Sequence, residues 1–476
     1  MTDGHGWVEK FAPDELIVAI PQLGAVREAL RACGVTTGDR GIEENRVLGL
    51  ARLFELKGLD KAVTKLMDSD ELVKQRLEAY RLLRETAYPQ PPDQRSVSDL
   101  ALVVEGVKLR LARQYPGWQI TVGKNYRPSL VRGNPHTDGS GRPKPHTDGA
   151  GYPKPHTDGA GRPVTNSKAI VGPIVRPAPH TDGDGQPTPA GGPYTGPVSQ
   201  GDPHTDAKRD RDRNVRVGLV DTRLFPHESL TGHYLGRAAD ILSPSLPVYT
   251  EFDGHCTFVA SCIRQQAPDA MLYLRHVLNE HGDGTVWEAA AGIADLVPLD
   301  LDVVNLSFGE YMTDDDSAPM VLDAAVRRFS RDTVVVAASG NNGDVKRSRP
   351  PDVPAGVGPN TTSYPAALPG VVGVGACNAR NKRAAFTPKE APWISLLARG
   401  VDISAAYLRG DVRLPNGVIT RFEGTANWAG CSFAAGVVTG VIAARTIPGQ
   451  RSARQALDEL VGSLGNQPWP GLVINP

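Results

Sequence analysis

Short apolar runs recur through the second half of the chain. Val217–Val220 and Val334–Ala338 are wholly apolar, and Val303-Val304-Asn305-Leu306 is interrupted by one polar residue. Runs this short, rich in β-branched side chains, predict strands buried on both faces, as a parallel sheet requires. The segments between them read as helices, and the apolar stretch through Gly440 and Ala443-Ala444 predicts a buried central helix. Strand and helix signals alternating over 213–476 predict an α/β fold, a mainly parallel sheet with helices on both faces around one large core.

Residues 1–130 carry a different pattern and predict a small helical or α+β domain. Val97 to Tyr115 reads as a helix, with Ser98 as N-cap, Leu100, Val103, Val104, Val107 and Leu111 at helical spacing, and a stop at Pro116-Gly117. Asp70 to Ala87 reads as a second, with Val73, Leu77, Tyr80 and Leu83 on one face. Leu16 to Ile20, Gln22 to Cys33 and Arg46 to Leu56 fit either strand, helix, strand or a helical hairpin.

Residues 131–212 form a linker. From Asn134 to Asp212 the chain turns to Pro, Gly, Thr, Asp and His, too few large apolar groups to offset the entropy of ordering. Within it Pro-His-Thr-Asp recurs five times, beginning at Pro135, Pro145, Pro155, Pro179 and Pro203. His136, His146, His156, His180 and His204 each stand two residues before an Asp, a spacing that a metal could use, but such ligands need a fold to hold them. The stretch therefore reads as a semi-extended tether.

Charge and cysteine content narrow the setting. With 52 basic and 53 acidic residues, no electrostatic case exists for nucleic acid or a membrane surface. Cys33, Cys256, Cys262, Cys377 and Cys431 form no CxxC pair and no even framework. The first ten residues lack the charged-then-apolar order of a secretion signal, and no run of 18 apolar residues exists. The expectation is a cytoplasmic protein with reduced thiols.

Three segments carry chemistry: Val-Gly-Leu-Val-Asp-Thr ending at Thr222, Asp-Gly-His-Cys-Thr-Phe-Val-Ala from Asp253, and Gly-Cys-Ser-Phe-Ala-Ala from Gly430. A serine hydroxyl is a weak nucleophile at neutral pH. It needs an imidazole to take its proton, and that imidazole needs a carboxylate to fix its tautomer. Asp221, His255 and Ser432 supply one of each, and their order along the chain is that of subtilisin. The region from Val215 to Thr446 accordingly resembles the subtilase family of serine peptidases.

The resemblance extends past the triad. Pro226 to Leu230, Tyr364-Pro365-Ala366, Val371 to Ala376, Ala384-Ala385-Phe386 and Arg399 to Ile403 match family segments in order. It implies that Ser307-Phe308-Gly309 is the edge that pairs with an extended peptide. It also implies that Asn341, with the backbone N–H of Ser432, is the oxyanion donor. Ser339, Gly340 and Ser363 would line the primary specificity pocket, with the insertion Asp344 to Thr362 as a surface loop beside it. Their small size suggests room for a sizeable side chain. The implied activity is a serine endopeptidase working through an acyl-enzyme on a peptide or protein substrate, and the expected cytoplasmic setting makes it an intracellular one. Calcium is bound by many family members, but no Asp/Asn cluster here forces a site, so no cofactor is assigned.

The departures define the alternative. Cys256 stands where the family has Gly, Cys431 where it has Thr, and Gly436 where the nucleophile helix has Pro; Arg223 and Ser261 replace further glycines. If these mark decay, the fold is a subtilase-like binding module without catalysis. Cys256 and Cys431 flank base and nucleophile, close to disulfide range once the triad forms, so they are either packing residues or an oxidation switch. The N-terminal domain contains no catalytic motif. A strand–helix–strand start would resemble a subtilase prodomain, but the intervening tether favours a regulatory or adaptor domain that binds a protein partner.

Overall fold

A computed structural model of the chain describes residues 11–38, 40–87, 97–126, 129–130, 154–155, 213–312, 320–344, 357–414, 417–464 and 473–474. The repeats fall outside these residues except for Lys154–Pro155, as does most of the insertion after Asp344.

The N-terminal unit is α+β. Its elements are β1 (Phe11–Ala19), α1 (Leu23–Cys33), β2 (Ile42–Asn45), β3 (Leu50–Leu53), α2 (Leu59–Ser69), α3 (Glu71–Ala87), α4 (Asp99–Gln114) and β4 (Val122–Tyr126). The strands form an antiparallel sheet in the order β2-β3-β1-β4. Of the two readings of its first third, strand–helix–strand is the one found. Ser98 caps α4, its hydroxyl accepting the amide of Ala101. The alternation along β1 buries both sheet faces: Leu16 and Val18 enter this unit's own core, while Ile17 joins the core of the larger unit.

A two-residue strand, β5 (Ser129–Leu130), follows, and β6 is Lys154–Pro155. The larger unit then supplies β7 (Arg216–Asp221), β8 (Tyr234–Leu235), β9 (Tyr249–Thr250), α5 (His255–Gln266), β10 (Met271–His276), α6 (Val286–Leu296), β11 (Val303–Leu306), β12 (Phe308–Met312) and α7 (Met320–Val326). It continues with β13 (Val334–Ala338), β14 (Thr362–Tyr364), β15 (Val371–Cys377), β16 (Ile394–Arg399), β17 (Ile403–Arg413), β18 (Ile419–Trp428), α8 (Cys431–Arg445), α9 (Ala453–Ser463) and β19 (Val473–Ile474). Eight strands form one parallel sheet in the order β19-β16-β15-β13-β11-β7-β10-β8. The apolar runs at β7, β11 and β13 occupy its centre, as strands covered on both faces must.

The central helix α8 packs against α5 at glycine. A Cβ on Gly440 would come within 2.5 Å of the carbonyl of Ile263 and 2.7 Å of Gln266 Cβ. At Gly436 the nearest atom would be Cys262 Cβ at 3.2 Å. The glycine that replaces the family's proline therefore faces a close helix neighbour.

The N-terminal sheet rests on the larger unit. Leu48 and Leu50 join Ile17 in the larger core, Arg328 donates to the carbonyl of Leu48 at 3.2 Å, and Asn125 Oδ1 accepts the amide of Trp287 at 3.0 Å. That amide belongs to the first turn of α6, where no earlier turn can accept it. Asn125, fully buried, thus caps a helix of the other unit, its own amide nitrogen held by Glu15.

Gly440→Ala is expected to lower stability by about 1–3 kcal/mol, the usual cost of forcing atoms into a filled helix contact. Denaturant unfolding followed by circular dichroism measures it, with Gly462→Ala, where nothing lies within 4 Å, as the control.

Candidate active site

Chain ends of the central strands converge on one place. β7 delivers Asp221 at its C-terminal end, β11 runs on into Ser307, and β13 into Ser339-Gly340-Asn341. Open α/β sheets put their sites at this edge. His255 opens α5 and Ser432 is the second residue of α8, so base and nucleophile candidates each stand at a helix start.

Asp221 and His255 are paired and dry. His255 Nδ1 lies 2.8 Å from Asp221 Oδ1 and 3.0 Å from Oδ2, and His255 and Asp221 are 2 % and 0 % exposed. Asp221 Oδ1 also accepts the amide of Thr222 at 2.7 Å. With Nδ1 donating to the carboxylate, Nε2 is left as the lone-pair nitrogen. That atom is buried and has no hydrogen-bond partner among the described residues. Trp428, edge-on at 5.8 Å, and Phe433, tilted at 5.5 Å, wall the imidazole.

Ser432 is brought near this pair but not onto it. Its hydroxyl donates to the carbonyl of Ser307 at 3.0 Å. Ser307 Oγ in turn lies 3.0 Å from the carbonyl of Ser432 and 2.8 Å from Asn305 Oδ1. The Ser307 side chain is buried as a tie between β11 and α8.

Asn341 is fully buried, and its Oδ1 accepts the amide of Cys431 at 3.0 Å. That bond fixes which end of the side-chain amide is oxygen, so Nδ2 is the donor end. A Cβ on Gly430 would lie 3.7 Å from Nδ2, which sets this donor beside the turn into Ser432. The amide of Ser432 sits in the first turn of α8, where the helix dipole is positive.

Phe308 and Gly309 lie on β12, paired antiparallel with β5: Phe308 opposite Leu130 and Gly309 opposite Ser129. Elsewhere, β6 pairs antiparallel with Ala426 and Asn427 of β18. The other edge of β12 pairs with β14, setting Tyr311 opposite Ser363. Ser339 accepts the indole N–H of Trp393 at its carbonyl, and Gly340 adopts φ +102°, a conformation that favours glycine. Beside Gly340 little space is left, because a Cβ there would lie 3.2 Å from Tyr311 Cε1 and 3.3 Å from Ser363 Cβ. Sequence reasoning missed Tyr311 and Trp428. Strand alternation from Gly309 was the available signal for the first; nothing local pointed to the second.

The cysteines flanking the site are packed in. Cys256 donates its amide to Thr222 Oγ1, and burial, with the charge of Asp221, holds its thiol well above the ordinary value. Cys431 is also raised by burial, its sulfur 3.4 Å from Thr387 Oγ1, and burial pushes the Cys377 thiol up to about 11. All five cysteines are free and buried. Thiols so protected from ionisation are poor targets for oxidation, which favours the packing reading. For calcium, no group of three or more His, Cys, Asp or Glu side chains converges among the described residues. No helix among them is long and apolar enough to cross a membrane.

The model of the subtilase family matches residues 212–447. Subtilisin DY of Bacillus licheniformis is 30% identical over 230 residues, which cover 46% of this chain and 74% of that protein. The minor extracellular protease Epr of Bacillus subtilis (strain 168) is 29% identical over 207 residues, covering 41% of this chain but only 28% of Epr. A cold adapted subtilisin-like serine proteinase of known crystal structure aligns at 21% identity with a TM-score of 0.39, covering 53% of this chain and 83% of that one.

The packing predicts that a thiol reagent such as 5,5′-dithiobis(2-nitrobenzoic acid) leaves the native protein unlabelled and titrates all five thiols in denaturant. Prompt labelling of the native protein would show an accessible thiol and reopen the oxidation switch.

Proposed function

The chain belongs to the subtilase family, and from that premise we propose that it is a serine endopeptidase cleaving extended peptides through an acyl-enzyme on Ser432. The observation that carries the reading is the buried Asp221–His255 pair, with Nε2 left unpartnered beside the start of α8. Asp221 holds the tautomer in which Nε2 accepts a proton, and its buried charge stabilises the imidazolium that results. Ser432 Oγ attacks the substrate carbonyl carbon as its proton passes to Nε2. The oxyanion formed takes hydrogen bonds from Asn341 Nδ2 and the Ser432 amide. Collapse breaks the C–N bond, His255 returns the proton to the departing amine, and water repeats the sequence to release the acid.

Ser432 must first exchange the carbonyl of Ser307 for Nε2, a rotation about its Cα–Cβ bond. The conformation described is therefore a resting one. That same hydrogen bond is the observation favouring the second reading, a binding module in which the serine never reaches the base.

We propose also that the N-terminal unit restrains the site. β5 occupies the backbone edge of Phe308 and Gly309 that an extended substrate would use, so a substrate has to displace it. Five free thiols support a reducing, cytoplasmic setting for this activity.

A fluorophosphonate probe distinguishes the readings: it should label the wild type at Ser432 and leave Ser432→Ala unlabelled, whereas a binding module takes no label. Ser432→Ala and His255→Ala should each lower kcat by on the order of a millionfold while the domain stays folded. Asp221→Asn should lower it by about ten-thousandfold, because the imidazole loses its orienting partner.

Restraint by the N-terminal unit predicts a gain of activity. Asn125→Ala leaves the buried amide of Trp287 unpaired, at a cost of about 1–3 kcal/mol to docking. Peptide turnover by the full chain should rise, measured with a chromogenic peptide at several substrate concentrations. A fall or no change would remove the N-terminal unit from control of the site.

A further inference from the structure

We infer that Tyr311 closes the pocket that receives the side chain on the acyl side of the cleaved bond, so that this chain cleaves after glycine, alanine or serine. The inference rests on the peptidase reading above. A peptide paired with Phe308 and Gly309, its carbonyl at Ser432, sends that side chain between β12 and the turn Ser339-Gly340-Asn341. Side chains alternate along a strand, so Tyr311 projects from the same face as Gly309. Its phenol crosses to the opposite wall, where the hydroxyl accepts the backbone N–H of Asn341 at 3.0 Å.

The space beside the ring is filled. A Cβ on Gly340 would lie 3.2 Å from Tyr311 Cε1, 3.3 Å from Ser363 Cβ and 2.8 Å from Asn342 Oδ1. Asn342 cannot turn aside without losing two hydrogen bonds from its Nδ2, to the carbonyls of Gly358 and Thr361. Tyr311 is 8 % exposed and packs on Val357. A large substrate side chain must therefore expel the phenol and break its bond to Asn341, the residue that also donates to the oxyanion. Small residues at Ser339, Gly340 and Ser363 serve to admit the tyrosine, not the substrate. Losing one buried hydrogen bond corresponds to a discrimination of roughly ten- to hundredfold.

The test uses the full chain and tetrapeptide p-nitroanilides that differ only in the residue before the anilide, alanine or phenylalanine. In the wild type kcat/KM should favour alanine by about tenfold or more. Tyr311→Ala should raise the phenylalanine-to-alanine ratio by a similar factor, and Tyr311→Leu by a smaller one. Tyr311→Phe keeps the ring but not the hydrogen bond to Asn341, and should weaken the preference for alanine without abolishing it. Circular dichroism establishes which variants are folded. A wild type that prefers phenylalanine, or a ratio unmoved in a folded Tyr311→Ala or Tyr311→Leu, overturns the inference. Calorimetry on Ser432→Ala with the matching hexapeptides separates the two proposals. Tighter binding of the alanine peptide supports the closed pocket even if no variant hydrolyses anything, in which case the peptidase reading alone fails. Equal affinities, or tighter binding of the phenylalanine peptide, overturn the pocket.

Discussion

The crossing of α5 and α8 at glycine fixes the rest of the site. His255 begins one helix and Ser432 the other, so the distance between the candidate base and nucleophile is set by how closely the two axes approach. Gly436 and Gly440, one turn apart, let α8 come against Val259, Cys262 and Ile263 with no side chain between. Larger residues would hold the helices at a wider separation. Thr439, between the two glycines, accepts the side-chain N–H of Asn305 at 3.0 Å and ties α8 to β11, the strand that runs into Ser307. His255, Ser432 and the carbonyl that holds the Ser432 hydroxyl are thus parts of one packed body. The glycine in place of proline is used for contact and does not leave slack.

Within that body the proposed chemistry runs in a dry place. Burying the Asp221 carboxylate is tolerable only because an imidazole N–H and the amide of Thr222 both donate to it. The aromatic wall of Trp428, Phe433 and Phe258, whose rings pack on one another at 4.4 to 5.7 Å, keeps water away from the pair. The same dryness explains why a cysteine can stand next to the histidine without competing with the serine. A thiolate at Cys256 would be buried and would face the charge of Asp221, so the thiol keeps its proton.

The parallel sheet and the positions of Asp221, His255, Ser432 and Asn341 were legible because their signals are local. A short apolar run ends at the carboxylate, and short motifs surround the other three. The N-terminal unit was half legible. Alternation around Leu48 to Leu56 fits two secondary structures, and the choice is made by burial of Ile17, Leu48 and Leu50 against the other unit, a contact between residues far apart in sequence. The role of the Ser307 side chain was not legible for the same reason: it bonds to Asn305 and to the carbonyl of Ser432, over a hundred residues away. Small residues mark a space only if nothing distant enters it, and no local signal showed that Tyr311 Cε1 would stand 3.2 Å from a Cβ placed on Gly340. Pairing of β5 with β12 has no sequence signal, since two residues can pair with any free edge.

That brevity bears on how the N-terminal unit would act. A two-residue strand contributes a few backbone hydrogen bonds, each worth about 1 kcal/mol net, too little to hold the edge of β12 against a good substrate by itself. What gives β5 its advantage is attachment. The unit is docked through Ile17, Leu48, Leu50 and the Asn125 cap, the last of which stands four residues before Ser129. Docking turns the competition into an intramolecular one, with β5 present at an effective concentration of order millimolar. Under the proposed restraint, control of the site would reside in the docking surface and not in the strand. Any partner or cleavage that loosened the unit would release the edge without touching the catalytic residues.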